Sequence, residues 1–273
     1  TIIIPAIRFD KHLLKTIKNL VENTTIGAEK LLIYNGKKGG EKQFIDCIKR
    51  KFPNTNLKVI TSNVPYNIAH AVNLGFKRAK TKFLVVMDSD VYILEKGWLR
   101  KAIKIMKKYP NIGVLGCSVA KYIDRKPEEL GFLDKDKKIK ICDYAPTIMV
   151  TKKSVIEDGC YIDEFFSMHR YDSDWQTTIR SKGYLIAHYR IKHLHVGGVS
   201  CDHVFRNKKI LNAWLNNEAP GALYFIEKHK KILNKDYYDS VMKEFGKKRK
   251  YNKYIFLTKW YFIKFRGKTI RFV

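Results

Sequence analysis

The stretch that most constrains the fold is a run of five apolar residues, Phe83 to Met87, that leads directly into Asp88-Ser89-Asp90. A short continuous apolar run is typical of a strand that is buried on both faces of a sheet. Because side chains alternate along a strand, Asp88 and Asp90 are expected to leave its end on the same side. Two carboxylates at such a strand end suit a divalent cation that holds a diphosphate. Asp and Ser are also ordinary turn residues, so the motif taken alone favours a simple polar turn.

Strand and helix patterns alternate through the first two thirds of the chain. Apolar runs predict strands at residues 1–5, 30–34, 57–61, 83–87, 112–118, 147–151 and, near a sheet edge, 186–195. Apolar residues at helical spacing predict helices at residues 10–22, 41–51 and 69–79, with a further helix from Gly97 to about Tyr109. This alternation indicates an α/β domain with a mainly parallel sheet and helices on both faces. The glycine-rich loop at 35–40 has neither the G-x-G-x-x-G nor the P-loop pattern, so we interpret it as a turn.

Charge and cysteine content limit the partners and the compartment. The formal net charge is +28, which favours an anionic partner such as nucleic acid, an acidic membrane surface or a phosphorylated substrate. The five cysteines are odd in number and form no C-x-x-C pair, which indicates reduced thiols in a cytoplasm. No apolar run is long enough to span a membrane. If Thr1 is close to the true start, no room is left for a signal peptide, and we expect a cytoplasmic protein.

A second group of polar residues lies in the region 171–198. Asp172 and Asp174 stand at the start of a predicted helix that ends near Gly183. One interpretation makes them first-turn acids favoured by the helix dipole, and for Asp174 both interpretations stay open. The other makes Asp172 a base that takes a proton from a hydroxyl. His193 and His195 lie two residues apart at a strand end, where a metal ligand could lie.

The motifs, taken in order, resemble the family-2 glycosyltransferases of the GT-A fold. The resemblance covers about residues 1–200 and is carried by IIIP, NLGF, VVMDSDV, GWL, GCYIDEFF, YDSDW and HVGG. It implies a Rossmann-like, mainly parallel central sheet flanked by helices, in a catalytic domain at 1–205. Residues 1–118 would form its nucleotide-sugar-binding half and 119–205 its acceptor and catalytic half. Residues 206–273 would form a small, helical C-terminal extension that is basic and aromatic.

The resemblance also implies roles for matching residues. The metal ligands would be Asp88, Asp90 and His195, with His193 as a neighbour. Asp172 would be the catalytic base. The donor would be bordered by Pro5, Ala6, Ile7, Asn35, Asn73, Asp88 and Ser89. The acceptor side would hold Trp98, Asp163, Glu164, Tyr171 and Asp174.

The sequence departs from the family pattern at three places, one beside the catalytic base and two near the donor. Tyr171 replaces the first acid of the segment that carries the catalytic base. The turn at 34–37 lacks the acid that helps family members to hold the nucleotide base, so this contact must differ here. Residues 63–67 replace a glycine-rich stretch beneath the donor.

The resulting hypothesis is a metal-dependent, inverting hexosyltransferase that uses Mn²⁺ or Mg²⁺. The donor would be a nucleotide-diphosphate sugar, with a UDP-sugar expected first, and the acceptor a cell-envelope glycan or its lipid-linked precursor. One alternative keeps this chemistry but glycosylates modified bases of DNA, which the net charge would suit. The other is a non-catalytic protein that binds nucleic acid or membrane on the same scaffold.

The C-terminal tail has an unusual composition. Residues 247–273 contain ten Lys or Arg, eight aromatic residues and no acid. Such a mixture suits an interfacial element on anionic lipid, which predicts a protein peripheral to the inner face of the plasma membrane. A tail that packs on its own domain, and one that binds nucleic acid through phosphates and stacked bases, remain open as alternatives.

Overall fold

The central sheet of the protein begins with four parallel strands, as the apolar runs predict. The computed structural model describes residues 1–53, 55–167, 170–196 and 221–243. The four strands are β1 (Ile2–Ala6), β2 (Lys30–Tyr34), β3 (Leu57–Thr61) and β4 (Phe83–Met87). They lie in the order β3-β2-β1-β4. Their carboxyl ends therefore share one edge of the sheet, where β4 delivers the Asp88-Ser89-Asp90 motif.

The second half of the sheet is mixed. The remaining strands are β5 (Val91–Ile93), β6 (Ile112–Gly116), β7 (Ile139–Ile141), β8 (Ile148–Lys152), β9 (Leu185–Tyr189) and β10 (His193–His195). The eight-stranded order is β3-β2-β1-β4-β8-β6-β9-β7, with β8 antiparallel to both of its neighbours. Since β6 and β9 are parallel to each other and run with β4, the mainly parallel sheet is confirmed.

Helices cover both faces of this sheet. The helices are α1 (Lys11–Asn23), α2 (Glu41–Lys51), α3 (Ile68–Arg78), α4 (Trp98–Lys108), α5 (Pro127–Leu130), α6 (Lys153–Glu157), α7 (Tyr171–Ser181), α8 (221–229) and α9 (Lys235–Val241). The apolar sides of α1, α2 and α4 pack in one hydrophobic core. Those of α3, α6, α7 and α8 pack in a second core on the opposite face. Burial on both faces explains why the strands read as continuous apolar runs.

The predicted strand at 186–195 is wrong as a single element. It divides into β9, which lies in the main sheet, and β10, which pairs antiparallel with β5 in a separate two-stranded sheet. In that pairing His195 lies opposite Val91, and the Val196 N–H donates to the Asp90 carbonyl at 3.1 Å. The break therefore carries His195 back to the end of β4.

The described part of the predicted extension packs on the α/β domain. Ala222, Phe225 and Ile226 of α8 are buried in the same core as α3 and α7, together with Leu233 and Val241 near α9. The basic and aromatic tail lies outside the described residues. In the part of the chain that the structure describes, no helix has the length and apolar character needed to cross a bilayer.

Candidate active site

Three potential metal ligands meet where β4 ends. Asp90 is buried and Asp88 is half-buried, and the β5–β10 pairing brings the imidazole of His195 above them. The His195 Nε2 atom lies 3.3 Å from Asp90 Oδ1 and 4.0 Å from Asp88 Oδ2. One ligand atom from each of these side chains lies within 4.8 Å of the other two. We call Asp88, Asp90 and His195 the strand-end cluster.

The electrostatics of the strand-end cluster favour a bound cation. Burial, followed by the charge of Asp90, raises the pKa of Asp88 to about 7, and the charge of Asp172 acts in the same direction. Burial lowers the pKa of His195, but its hydrogen bond to Asp90 and the charges of the two acids outweigh this and raise it overall. Two carboxylate oxygens with one imidazole nitrogen form a donor set that fits Mn²⁺ and related divalent ions.

Asp172 and Tyr171 approach the cluster from the first turn of α7. The Tyr171 hydroxyl donates to Asp88 Oδ1 at 3.3 Å, so this buried side chain faces the strand-end cluster. Asp172 is half-buried, and its Oδ1 accepts from the Ser173 N–H at 2.9 Å. Its charge contributes to the raised pKa of Asp88 and of Tyr144. The Asp172 carboxylate therefore lies beside the strand-end cluster.

The expected donor residues gather at the ends of β1 and β2. Pro5 and Ala6 close β1, Ile7 follows half-buried, and the Asn35 N–H donates to the Ala6 carbonyl at 3.0 Å. The Asn35 side chain is 1% exposed, and neither its Oδ1 nor its Nδ2 has a hydrogen-bond partner. Buried amides are rarely left unpaired, because desolvation without a hydrogen bond is costly. The protein therefore encloses an unpaired amide at the ends of β1 and β2.

Helix α1 holds the turn at Asp88-Ser89-Asp90 in place. The Ser89 carbonyl accepts a hydrogen bond from the buried Thr16 hydroxyl of α1 at 2.9 Å. The Ser89 residue, which is half-buried, therefore lies in a fixed loop between the two acids.

Asn73 requires a correction. Its Nδ2 donates to the Ile162 carbonyl at 2.8 Å and to Glu164 Oε1 at 3.0 Å, and its Oδ1 accepts from the Ile162 N–H at 3.0 Å. Both amide hydrogens are therefore used within the protein. Asn73 fastens the loop at 162–164 to α3, and it does not extend toward a donor.

Two expected acceptor residues are also misassigned. Trp98 is fully buried, and its indole N–H donates to the Thr24 hydroxyl at 3.2 Å. Asp174 is equally buried, with Oδ2 2.9 Å from Lys228 Nζ and Oδ1 2.8 Å from His229 Nε2. Neither side chain can contact an acceptor, because both are enclosed by the fold.

The loop at 162–167 keeps the other acceptor candidates near the surface. Asp163 accepts from Tyr224 and Lys228, each at 2.9 Å, and Glu164 accepts from His70 Nδ1 at 2.8 Å. Both carboxylates retain exposed surface. Sequence reasoning missed Tyr224 and Lys228, although their spacing of four places both on one side of a helix.

The comparisons with known proteins agree with this geometry. A family model described as glycosyl transferase family 2 matches residues 1–160. The chain belongs to glycosyl transferase family 2. No curated protein matches its sequence at a significant level.

Solved glycosyltransferases share the fold at low identity. The mannosyltransferase PcManGT from Pyrobaculum calidifontis, in complex with GDP-Man and Mn²⁺, has a TM-score of 0.57 at 16% identity, over 85% of this chain and 64% of its own. GalNAc-T7 with UDP, GalNAc and Mn²⁺ gives 0.57 at 14%, over 72% and 44%. S. aureus TarS gives 0.52 at 18%, over 89% and 42%. The chain thus spans less than two thirds of each of these proteins, and the likeness shows the GT-A fold.

Proposed function

We propose that the protein transfers a hexose from a nucleotide-diphosphate sugar to a hydroxyl group, with inversion at the anomeric carbon and with Mn²⁺ or Mg²⁺ on the diphosphate. The observation that carries this proposal is the strand-end cluster, whose three ligand atoms converge within 4.8 Å beside the Asp172 carboxylate. The GT-A fold supports it, because ligands of such sheets lie beyond the carboxyl ends of the strands.

The strand-end cluster would hold the metal ion. Asp88, Asp90 and His195 supply two carboxylates and an imidazole, of which Asp90 is the most buried. A divalent ion bound there supplies positive charge that stabilises the departing diphosphate. The hydroxyl of Tyr171 holds Asp88 in place through its hydrogen bond.

Asp172 would act as the general base. In the proposed reaction the acceptor oxygen forms a bond to the anomeric carbon while the bond from that carbon to the diphosphate oxygen breaks. The acceptor proton moves to Asp172, and the nucleoside diphosphate leaves with the electron pair. One displacement with one base inverts the anomeric centre. The position of Asp172 in the first turn of α7, one residue after Tyr171, supports this role.

Asn35 would lie beneath the nucleotide base, since its side chain is enclosed by the protein. Its buried amide has no partner and offers one acceptor oxygen and one donor nitrogen. Uracil, thymine and guanine each present an N–H beside a carbonyl, so this amide does not select among them, and a UDP-sugar is the first donor proposed from the resemblance to the family alone. Pro5, Ala6 and Ile7 would border the same pocket, and Asp88 would approach the ribose with Ser89 beside it.

The acceptor would be a cell-envelope glycan or a lipid-linked precursor, reached from the cytoplasmic side. The net charge of +28 supports a location at an anionic membrane surface. The same charge also suits nucleic acid, but the carboxylates of the strand-end cluster and of Asp163 and Glu164 would repel a phosphate backbone near the site.

Hydrolysis of nucleotide sugars without an acceptor tests the proposed function. The wild type is assayed with Mn²⁺, with Mg²⁺ and with a chelator, on a panel of UDP-, GDP-, CDP- and dTDP-sugars. We expect metal-dependent turnover of one donor class, and a UDP-sugar before the others. The absence of turnover, together with no metal-dependent binding of any nucleoside diphosphate, would overturn the proposal.

A further inference from the structure

We propose that an exposed aromatic shelf, formed by Phe165, Phe166 and Tyr224, binds a pyranose ring of the acceptor. This inference rests on the proposed glycosyl transfer and deepens it, because it assigns an acceptor subsite and its chemical class. The ring centroids of Phe165 and Tyr224 are 4.7 Å apart, and that of Phe166 lies 5.6 and 5.5 Å from them. Phe165 is 47% exposed and Tyr224 is 40% exposed, while Phe166 is buried beneath them.

The shelf is fixed rather than loose. Asn73 and His70 of α3 hold Glu164, and the Asn67 side chain donates to the Glu164 carbonyl at 3.0 Å. From the other side, the Tyr224 hydroxyl donates to Asp163 at 2.9 Å. Single exposed aromatic residues are normal on a surface, but a contiguous exposed group held by hydrogen bonds on both sides indicates a binding surface.

Contacts connect the shelf to the strand-end cluster. Lys228 Nζ lies 2.9 Å from both Asp163 and Asp174. Asp174 follows Tyr171 by three residues in α7, which is about one helical turn or roughly 5 Å. The Tyr171 hydroxyl in turn contacts Asp88. These contacts join the shelf to the strand-end cluster through the interior of the domain, so an acceptor that uses both would extend over more than one sugar ring.

The chemistry of the shelf and its margin fits a sugar ring. The C–H face of a pyranose is apolar and packs on an aromatic face through dispersion and the ring quadrupole. Its rim of hydroxyl groups needs donors and acceptors, and the shelf is bordered by the carboxylates of Asp163 and Glu164 and by the Lys228 ammonium. Lys228 Nζ lies 5.6 Å from the Phe166 centroid and 5.8 Å from that of Tyr224.

Other occupants fit this margin less well. A hydrocarbon chain would use none of the bordering polar groups. A nucleic acid strand would bring phosphates toward Asp163 and Glu164, while Lys228 is already paired with Asp163 and Asp174. The carbohydrate is the occupant that uses both the aromatic faces and the acids.

The test compares transfer with donor hydrolysis in the same preparations. The acceptors are p-nitrophenyl glycosides of hexose di- and trisaccharides, and the variants are Phe165→Ala and, as a matched control, Phe132→Ala. Phe132 is 42% exposed, and its ring lies beside Lys140 in the loop before β7. We expect Phe165→Ala to lower kcat/KM for transfer about 10-fold, mainly through KM for the glycoside. Donor hydrolysis should stay within about twofold of the wild type in both variants, and Phe165→Trp should restore transfer.

Four results would overturn the inference. Unchanged transfer by Phe165→Ala, an equal loss in Phe132→Ala, or transfer to no glycoside by a wild type that hydrolyses its donor would each do so. Inhibition by farnesyl phosphate that is relieved by Phe165→Ala, with glycoside transfer unchanged, would assign the shelf to a lipid chain instead. Failure of the wild type to turn over any donor would overturn the proposed function itself and is therefore distinguishable.

Discussion

Two clusters of buried acids in this domain carry their charge in opposite ways. In the strand-end cluster, Asp88 and Asp90 have His195 as their only ion-pair partner among the described residues. In the second cluster, Asp143 is fully buried and lies 2.5 Å from Arg125 Nε and 3.2 Å from Arg180 Nη1. Arg180 also contacts Asp124 at 3.2 Å, and we call Asp124, Arg125, Asp143 and Arg180 the arginine network.

The pKa values of the two clusters follow from this difference. Burial and Asp90 raise the pKa of Asp88 to about 7. Burial alone would raise that of Asp143, but the Ile123 N–H and the two guanidinium groups outweigh it and hold the pKa below its usual range. A cluster that contains its own cations stabilises the fold, whereas one with excess acid is completed by a cation from outside. Buried acids therefore indicate a ligand site only where the protein leaves their charge uncompensated.

The largest expected effect is the loss of activity in Asp90→Asn. This change removes a charged ligand from the strand-end cluster without changing its volume, so metal-dependent donor turnover should fall by at least about 10³-fold. Steady-state hydrolysis of the nucleotide sugar at several Mn²⁺ concentrations measures this. Asp136→Asn is the matched control, since Asp136 is an exposed acid paired with Lys138, and it should keep full activity. Normal turnover by Asp90→Asn would show that the strand-end cluster, like the arginine network, is not completed by a cation from outside.

Asp172→Asn should have the next largest effect, and on a different quantity. The amide cannot accept the proton of the acceptor, so transfer should fall by about 10²-fold or more. The dissociation constant of the donor with Mn²⁺, measured by calorimetry, should change less than about twofold, because Asp172 is not one of the three converging ligands. A large loss of donor affinity would instead make Asp172 part of the metal site.

Asp143→Asn tests the arginine network and should act on stability. It leaves two buried guanidinium groups without their carboxylate, and the free energy of unfolding should fall by about 3 kcal/mol. Urea denaturation monitored by tryptophan fluorescence measures the change. The comparison variant is Asp88→Asn in metal-free protein. It removes the repulsion between the carboxylates of Asp88 and Asp90, so the free energy of unfolding should not fall. Equal destabilisation by both variants would show that the two clusters do not differ.

The strand-end motif and most of the sheet could be predicted because their signals are local. Five apolar residues before Asp88 identify β4, and similar runs identify its parallel neighbours. Asp10, the first residue of the helix predicted at 10–22, precedes α1 in the structure and caps it through the His12 and Leu13 N–H groups at 2.9 Å. Each of these features depends on residues that are adjacent in the sequence.

The errors concern residues whose partners are remote in sequence. Trp98 is enclosed by a contact with Thr24, and Asp174 by Lys228 and His229 more than fifty residues later. The three-residue strands β5 and β10 are too short to leave a periodic pattern, and their pairing is what brings His195 to Asp88 and Asp90. Local patterns carry no information on such pairings, so the spacing of the histidines could not choose between His193 and His195, and only the resemblance favoured His195.

The smallest expected effect is on the pH dependence of stability, to which both clusters contribute in the same molecule. For Asp88 the pKa is 3.8 in the reference state and about 7 in the folded, metal-free protein. The folded state therefore holds a proton that the unfolded state has lost, and stability should fall as pH rises through this interval. His195, whose pKa is raised, adds to the fall at the upper end.

Asp143 acts in the opposite direction, because its lowered pKa contributes stability above the unfolded pKa that is lost only as pH falls into the acid range. Thermal melting with a chelator between about pH 5 and 8 should therefore give a Tm that falls with pH in the wild type and more weakly in Asp88→Asn. Added Mn²⁺ should reverse the slope in the wild type, since the ion binds the deprotonated ligands and stabilises the folded state more strongly as they ionise. The contrary result is a slope that is identical in Asp88→Asn and insensitive to Mn²⁺. In that case the excess negative charge at the end of β4 is not the charge that a bound cation neutralises.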